Sequence, residues 1–189
     1  MVGIKARLTR PFRQGEAETL TGIVIEEALG LQGSRLPNLD LSGAVFKGPV
    51  DLRDTYFQGM AWFRGAVFEH SADFSAAKFA SDARFDGAQF KGIVRFSEAQ
   101  FDGVPCFDDA VFRDTAYFDR MICSGSLSFG RAQFDGSVTL RDTGCYGGLW
   151  AGRAVFSSAT DMRGLRVYGR CQLPAVATLG QPMEVQQEA

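Results

Sequence analysis

Large apolar residues recur through most of this chain at spacings that alternate between six and five residues. From Phe46 the alternation continues without a break to Leu140. A small residue, most often alanine, lies two positions before most of them, as Ala66 does before Phe68. The repeated unit is therefore Ala-x-Phe followed by two or three further residues. A fixed internal period of this kind indicates a repeat architecture.

The Ala-x-Phe unit has the alternation of a short β-strand. In a strand the first and third residues point to one side and the middle residue to the other. We therefore expect alanine and phenylalanine in the core and the middle residue on the surface. The residues that follow are rich in Gly, Ser and Asp, which favour turns. Apolar spacings of three and four, which a helix requires, are absent from the repeat.

Four successive units contain 22 residues, and residues 22 apart resemble each other. We expect each set of four units to form one coil, stacked on the next at about 4.8 Å, so that the whole is a rod roughly 29 Å long. The predicted core phenylalanines are Phe46, Phe57, Phe63, Phe68, Phe74, Phe79, Phe85, Phe90, Phe96, Phe101, Phe107, Phe112, Phe118, Phe129, Phe134 and Phe156. Phenylalanine rings stacked in columns then form the core.

Segments 66–68 (AVF), 72–74 (ADF) and 116–118 (AYF) resemble the pentapeptide-repeat family, whose unit is Ala, Asp or Asn, Leu or Phe, and two more residues. The resemblance runs from about Leu36 to Leu173. It implies an all-β fold, a right-handed quadrilateral parallel β-helix, in this chain with about 22 residues per coil. Because alternate units are one residue longer than the family's, we expect one extra residue at two opposite corners of each coil.

The repeat divides the chain into three parts. We interpret residues 1–21 as an N-terminal arm or cap, residues 22–173 as the β-helix and residues 174–189 as a C-terminal tail. The ends of a solenoid must be covered, because an open coil exposes unpaired backbone groups. Since the tail is polar, its coil end is a candidate surface for a homodimer.

Composition excludes several kinds of function. The formal net charge is −2, which gives no field to attract nucleic acid or an anionic membrane. Four cysteines without a CxxC spacing and a single histidine argue against a zinc site. The sequence offers neither the apolar run of a signal peptide nor that of a membrane span. We expect a cytoplasmic protein without cofactor, metal or catalytic residues.

Cysteines are expected to be core or surface according to their place in the unit. Cys123 and Cys145 lie one coil apart at inward positions and are expected to be core residues. Cys106 lies at an outward position, so the pattern predicts that it is the more reactive thiol.

Two kinds of outward residue are candidates for contact with a partner. The first kind is acidic. These residues are candidates because the resemblance implies that some family members protect DNA gyrase by imitating duplex DNA. The second kind is a line of valines that could pack against a protein. The candidates are Asp51, Asp73, Asp86, Asp108, Asp109, Asp119, Val45, Val67, Val111 and Val155.

Three functions follow from these candidates. The first is a non-enzymatic protein-binding rod, with a gyrase-type topoisomerase as its most concrete partner. The second is an assembly scaffold that oligomerises through the apolar face. The third and weakest is an enzyme that binds substrate on its aromatic outer faces. Arginines interleave with the aspartates, and a mixed ladder imitates the uniform charge of DNA poorly.

Overall fold

The computed structural model describes residues 2–13, 15–157, 159–174 and 184–186. In this part of the chain, short parallel strands form four sheets, and up to residue 150 successive strands lie in the four sheets in turn. The chain is therefore a four-sided parallel β-solenoid, which confirms the predicted fold class.

Each sheet takes its strands from successive coils. Sheet 1 contains β1 (Ala17–Thr19), β5 (Asn38–Asp40), β9 (Ala61–Trp62), β13 (Ala83–Arg84), β17 (Pro105–Cys106), β21 (Leu127–Ser128), β25 (Leu149–Trp150) and β28 (Cys171–Gln172). Sheet 2 contains β2 (Val24–Ile25), β6 (Val45–Phe46), β10 (Val67–Phe68), β14 (Gln89–Phe90), β18 (Val111–Phe112) and β22 (Gln133–Phe134). Sheet 3 contains β3 (Leu29–Gly30), β7 (Val50–Asp51), β11 (Ala72–Asp73), β15 (Val94–Arg95), β19 (Ala116–Tyr117), β23 (Val138–Thr139) and β26 (Thr160–Asp161). Sheet 4 contains β4 (Arg35–Leu36), β8 (Tyr56–Phe57), β12 (Lys78–Phe79), β16 (Gln100–Phe101), β20 (Ile122–Cys123), β24 (Gly144–Cys145), β27 (Arg166–Tyr168) and β29 (Glu184–Gln186).

The pairing register is the predicted 22 residues. Phe68 lies opposite Phe46 on one side and Phe90 on the other. The first coil is one residue shorter, because Ile25 pairs with Phe46. Residues one coil apart in the sequence therefore lie directly above one another.

Phenylalanine rings stack along the rod axis and meet edge to face across the core. The rings of Phe68 and Phe90 are 4.8 Å apart and 7° from parallel, whereas those of Phe74 and Phe85 are 5.5 Å apart at 84°. Both arrangements are favourable for aromatic rings. The predicted core phenylalanines are buried, except that Phe156 is half-buried at the end of its column, where it still stacks on Phe134 at 4.9 Å.

Two kinds of corner join the strands. After sheets 1 and 3 the chain closes a tight turn, in which, for example, the Ala66 N–H donates to the Phe63 carbonyl at 3.1 Å. The third residue of such a turn has a positive φ, as in Gly65 at 61° and Asp54 at 56°, which is the geometry of a type II turn. The corners after sheets 2 and 4 are one residue longer, as the alternating spacing predicts.

A short helix, α1 (Val2–Leu8), lies at the N-terminal end of the rod. Its Leu8 is buried in the same core as Leu29 and Leu36 of the first coil. Arg7 and Arg10 both bind the carboxylate of Glu18 in β1, at 2.5 and 3.1 Å. These contacts cover the apolar end of the first coil. Without them, its unpaired backbone groups and leucine side chains would be exposed to water.

The three-part division of the chain stays a proposal, to which the structure adds detail at both ends. Strand β1 lies within the proposed arm and already pairs with β5. Strand β29 lies within the proposed tail and extends sheet 4 by pairing with β27. The rest of the tail beyond Pro174 lies outside the described residues, as does any homodimer contact it would make. Among the described residues, no helix has the length and apolarity needed to cross a bilayer.

Candidate protein-contact surface

The predicted reactivity of Cys106 is wrong. Its thiol is buried, with 6% of the residue exposed, and the Sγ donates to Asp86 Oδ1 at 3.1 Å. Burial and the neighbouring carboxylate of Asp86 raise the pKa of Cys106 to about 12. Because the thiolate is the nucleophile, this cysteine is inert near neutral pH. The side chain at this outward position contacts Asp86 of the preceding coil, whose carboxylate also binds Arg84.

Within the described residues, no group of three or more His, Cys, Asp and Glu side chains could hold a metal ion. Cys123 and Cys145 are fully buried in the core, as expected, and the pKa of Cys123 is raised by its contact with Cys145 and by burial. His70, the single histidine, is exposed at a corner.

Each of the candidate aspartates has a polar partner on the protein itself. Arginines bind three of them. Within one coil, Arg53 binds Asp51 at 2.7 Å and Arg84 binds Asp86 at 2.5 Å, and between neighbouring coils Arg131 binds Asp109 at 2.5 Å. Hydrogen-bond donors satisfy the next two: Asp73 accepts from Ser75, and Asp108 accepts from Ser128 and from the N–H of Gly130.

Asp119 is not an accessible contact residue. Only 5% of it is exposed, and its carboxylate accepts from the backbone N–H of Arg141 and from that residue's guanidinium at 3.1 Å. It joins two coils of sheet 3 from beneath the arginine side chain. We therefore remove it from the candidate partner-binding residues.

The arginine contacts lower the pKa of several of these carboxyl groups. The hydrogen bond from Arg53 is the main cause for Asp51, and that from Arg131 is the main cause for Asp109. The carboxylates are therefore charged at neutral pH, but each has its counter-charge beside it. A surface of this kind is locally balanced and has little of the sustained negative field of duplex DNA.

The predicted valine line exists and is longer than expected. In sheet 2 the outward residues lie in one register, Val67 with Val45 on one side and with Gln89 on the other. The exposed fraction is 48% for Val24 and 63% for Val155. The full line is Val24, Val45, Val67, Gln89, Val111, Gln133 and Val155. Val24 could be found from the sequence only if the first coil were known to be one residue short.

This line, which we call the neutral face, has no charged residue. The corresponding outward lines of the other three sheets each contain charges, such as Arg84 in sheet 1, Asp73 in sheet 3 and Lys78 in sheet 4. Sheet 2 is thus the one side of the described rod whose central residues are all uncharged.

Two rims border the neutral face. The corner before each strand of sheet 2 forms the first rim, and the residue after each inward phenylalanine or isoleucine forms the second. The first rim is Gly22, Gly43, Gly65, Gly87, Asp109, Arg131 and Arg153. The second rim is Glu26, Lys47, Glu69, Lys91, Arg113, Asp135 and Ser157. A neutral centre with a charged border is the usual anatomy of a protein–protein interface.

Aromatic residues outside the core do not gather into one site. Trp62 and Trp150 both lie on sheet 1 but are four strands apart, and the Arg64 guanidinium stacks on Trp62 at 4.5 Å. Tyr146 and Tyr168 stack on each other at 4.9 Å beside sheet 4. The aromatic outer faces therefore offer separate patches, which does not favour a substrate-binding site.

The sequence matches the family model described as Pentapeptide repeats (9 copies) over residues 31–78 and 63–106. Residues 31–106 are therefore pentapeptide repeats, which confirms the resemblance, and the same 22-residue register continues from there to β28. No curated protein matches the sequence of the chain.

Two solved structures of QnrB1 are similar to the chain over most of its length. One is full-length QnrB1, a plasmid-mediated fluoroquinolone resistance protein, which is 12% identical with a TM-score of 0.36, covering 92% of this chain and 94% of that one. The other is a trypsin-treated variant of QnrB1, also 12% identical with a TM-score of 0.36, covering 90% and 91%.

Proposed function

We propose that the chain is a non-enzymatic protein-binding module whose contact surface is the neutral face of sheet 2. The observation that carries the proposal is the absence of charge along this line, whereas the outward lines of the other three described sheets all contain charged residues. A flat line of β-branched side chains is ready to be desolvated by a partner, whereas ion-paired faces lose solvation when they are covered.

The rigidity of the rod supports the same function. A core of stacked rings holds the strands of sheet 2 in place, so the backbone of the neutral face needs little ordering when it binds. Preorganised surfaces of this kind lose less entropy on association than mobile loops do.

Photo-crosslinking tests the proposal. A photoreactive amino acid replaces either Val155, on the neutral face, or Gln100, which is equally an outward residue but lies on the opposite sheet. Irradiation of cells that produce the protein is expected to give a covalent protein adduct from position 155 and none from position 100. Adducts in equal amounts from both positions, or none from position 155, contradict the proposal.

A narrower proposal names the partner as DNA gyrase or a related topoisomerase. It rests on the resemblance to topoisomerase-protecting family members, and the paired aspartates lend it no support. In a supercoiling assay with purified gyrase, the protein at micromolar concentration is expected to reduce supercoiling, and Val155→Lys is expected to weaken the effect. An unchanged reaction removes gyrase as the partner and leaves the contact surface to be tested by crosslinking.

A further inference from the structure

We propose that the neutral face binds the same face of a second copy of this chain, with the two rods parallel and related by a two-fold axis that runs along them. This inference rests on the proposed function, because it uses the same contact surface and names its occupant. It also specifies the register, since a two-fold axis along the rods places each coil opposite its own copy.

In that arrangement every outward residue of sheet 2 meets its identical partner. Val67 faces Val67, and Gln133 faces Gln133, at each level of the line. Valines are thereby buried against valines, which is favourable in proportion to the apolar area removed from water. Each glutamine amide carries two N–H donors and an acceptor oxygen. Facing amides therefore exchange hydrogen bonds, and Gln133 has a second N–H to do so beside the one it donates to Asp135 at 2.6 Å.

The rims have complementary charges in the same arrangement. The two-fold axis brings the first rim of one copy against the second rim of the other at the same level. At the first four levels a charged residue meets a glycine, as Glu69 meets Gly65. At the next two levels Asp109 meets Arg113, and Arg131 meets Asp135, while at the last level Arg153 meets Ser157. No level brings like charges together.

Contacts within one chain do not account for this relation between the rims. Ion pairs run along each rim and join Asp109 to Arg131 and Arg113 to Asp135, both at 2.5 Å. Such pairs require positive and negative charges to alternate along a rim. They do not determine which charge lies at the same level on the opposite rim. In the dimer the pairs on the facing rims combine into groups of four alternating charges.

The antiparallel arrangement is less favourable. Valines face valines and amides face amides best when the two-fold axis passes through the level of Val111. Val111 then faces its own copy, and Gln89 faces Gln133. Antiparallel rods place each rim against the same rim, so Asp109 then faces Asp109 and Arg113 faces Arg113. Like charges in contact oppose association, and the charge pattern therefore favours the parallel pair.

The face is narrow, at one strand-width by about 29 Å. It is small for a specific interface, which predicts a weak dimer that forms in the micromolar range and dissociates on dilution.

Cysteine crosslinking tests the register. Gln133→Cys places two thiols across the two-fold axis and is expected to give a disulfide-linked dimer of doubled mass under mild oxidation. Gln100→Cys is the matched control, because Gln100 and Gln133 both precede an inward phenylalanine and are both exposed. The unaltered protein, oxidised in parallel, measures any contribution from its own cysteines. Both controls are expected to remain single chains.

The outcomes separate this inference from the proposed function. A covalent dimer from Gln133→Cys alone supports the parallel pair. A dimer that forms only when Gln89→Cys and Gln133→Cys are mixed overturns the register. A constant monomer mass in light scattering up to high micromolar concentration overturns the dimer itself. In that last case, a photo-adduct at position 155 with a mass other than twice the chain would still support the proposed contact surface.

Discussion

At the scale of single residues, the phenylalanine of each unit is the largest source of stability. Phe90, which is 1% exposed, stacks on Phe68 at 4.8 Å and on Phe112 at 5.0 Å. A ring in the middle of a column thus has neighbours above and below, and nothing else in the coil can fill its volume. The outward neighbour Gln89 makes none of these contacts.

Phe90→Ala is expected to lower the free energy of unfolding by about 3–5 kcal/mol, because it removes the ring and leaves a cavity between two others. Gln89→Ala, in the same strand, is expected to change it by less than about 0.5 kcal/mol. Chemical denaturation of the two variants measures both values. Equal costs would show that the inward and outward positions are assigned wrongly.

The thiol of Cys106 is expected to resist modification. With a pKa raised to about 12, roughly one thiol in ten thousand is a thiolate at pH 8, and the residue is buried. Alkylation at this pH followed by peptide mass spectrometry is expected to modify Cys106 in the unfolded protein and to leave it unmodified in the native one. Rapid modification of the native protein at Cys106 would contradict the burial.

At the scale of the elements, the tight corners set the path of the chain. Two columns of corner residues have a positive φ in coil after coil, and several of them are not glycine. The non-glycine members are Asp54, Ala76, Glu98, Asp109, Arg120, Arg131 and Asp142. A left-handed backbone costs an L-residue roughly 1–2 kcal/mol, so the stack imposes this geometry against local preference. Ion pairs between Glu98 and Arg120 and between Asp109 and Arg131 help to compensate.

Exchanging alanine and glycine at these corners tests the turn geometry. Gly65 has a φ of 61° and open space where a Cβ would lie, so Gly65→Ala is expected to destabilise the protein by about 1 kcal/mol through backbone strain alone. Ala76 has a φ of 56°, so Ala76→Gly is expected to raise the free energy of unfolding by up to about 1 kcal/mol. Thermal or denaturant unfolding measures both. Opposite signs from those stated would mean that the corners are not type II turns.

The sequence predicts the regular parts of the fold well, since the 22-residue period fixes which phenylalanines stack. It fails where neighbouring coils decide the outcome. Asp119 and Cys106 occupy outward positions, yet both are buried, Asp119 bound to Arg141 of the next coil and Cys106 to Asp86 of the preceding one. Phe156 keeps its place in the column but lies at the end, where less of the rod covers it. The repeat does not reveal Val24 as part of the valine line, because the first coil is one residue short, which only the pairing with β6 shows.

At the scale of the whole molecule, ion pairs lie on sheets 1 and 3 and along both rims of the neutral face. Hydrogen bonds from arginine lower the pKa of Asp51, Asp135 and Asp161. A carboxyl group whose pKa is lower in the folded state contributes stability above its unfolded pKa. That contribution is lost as the pH falls through the folded value.

The urea midpoint is therefore expected to decrease as the pH is lowered from neutral to about 3. The decrease should be modest, because solvent screens the exposed pairs. Arg113→Gln removes the main cause of the lowered pKa of Asp135 and is expected to flatten the profile slightly. A midpoint that rises on acidification would show that the pairs do not stabilise the fold.

The central claim is that two copies of this rod meet at the neutral face of sheet 2, and methyl NMR of the valines tests it most directly. The outward valines Val67, Val111 and Val155 report on that face, while Val50, Val94 and Val138 are buried beneath sheet 3 and serve as internal controls. We predict concentration-dependent shifts that are confined to the outward valines. Outward valines that stay unchanged while probes on another sheet shift would contradict the claim.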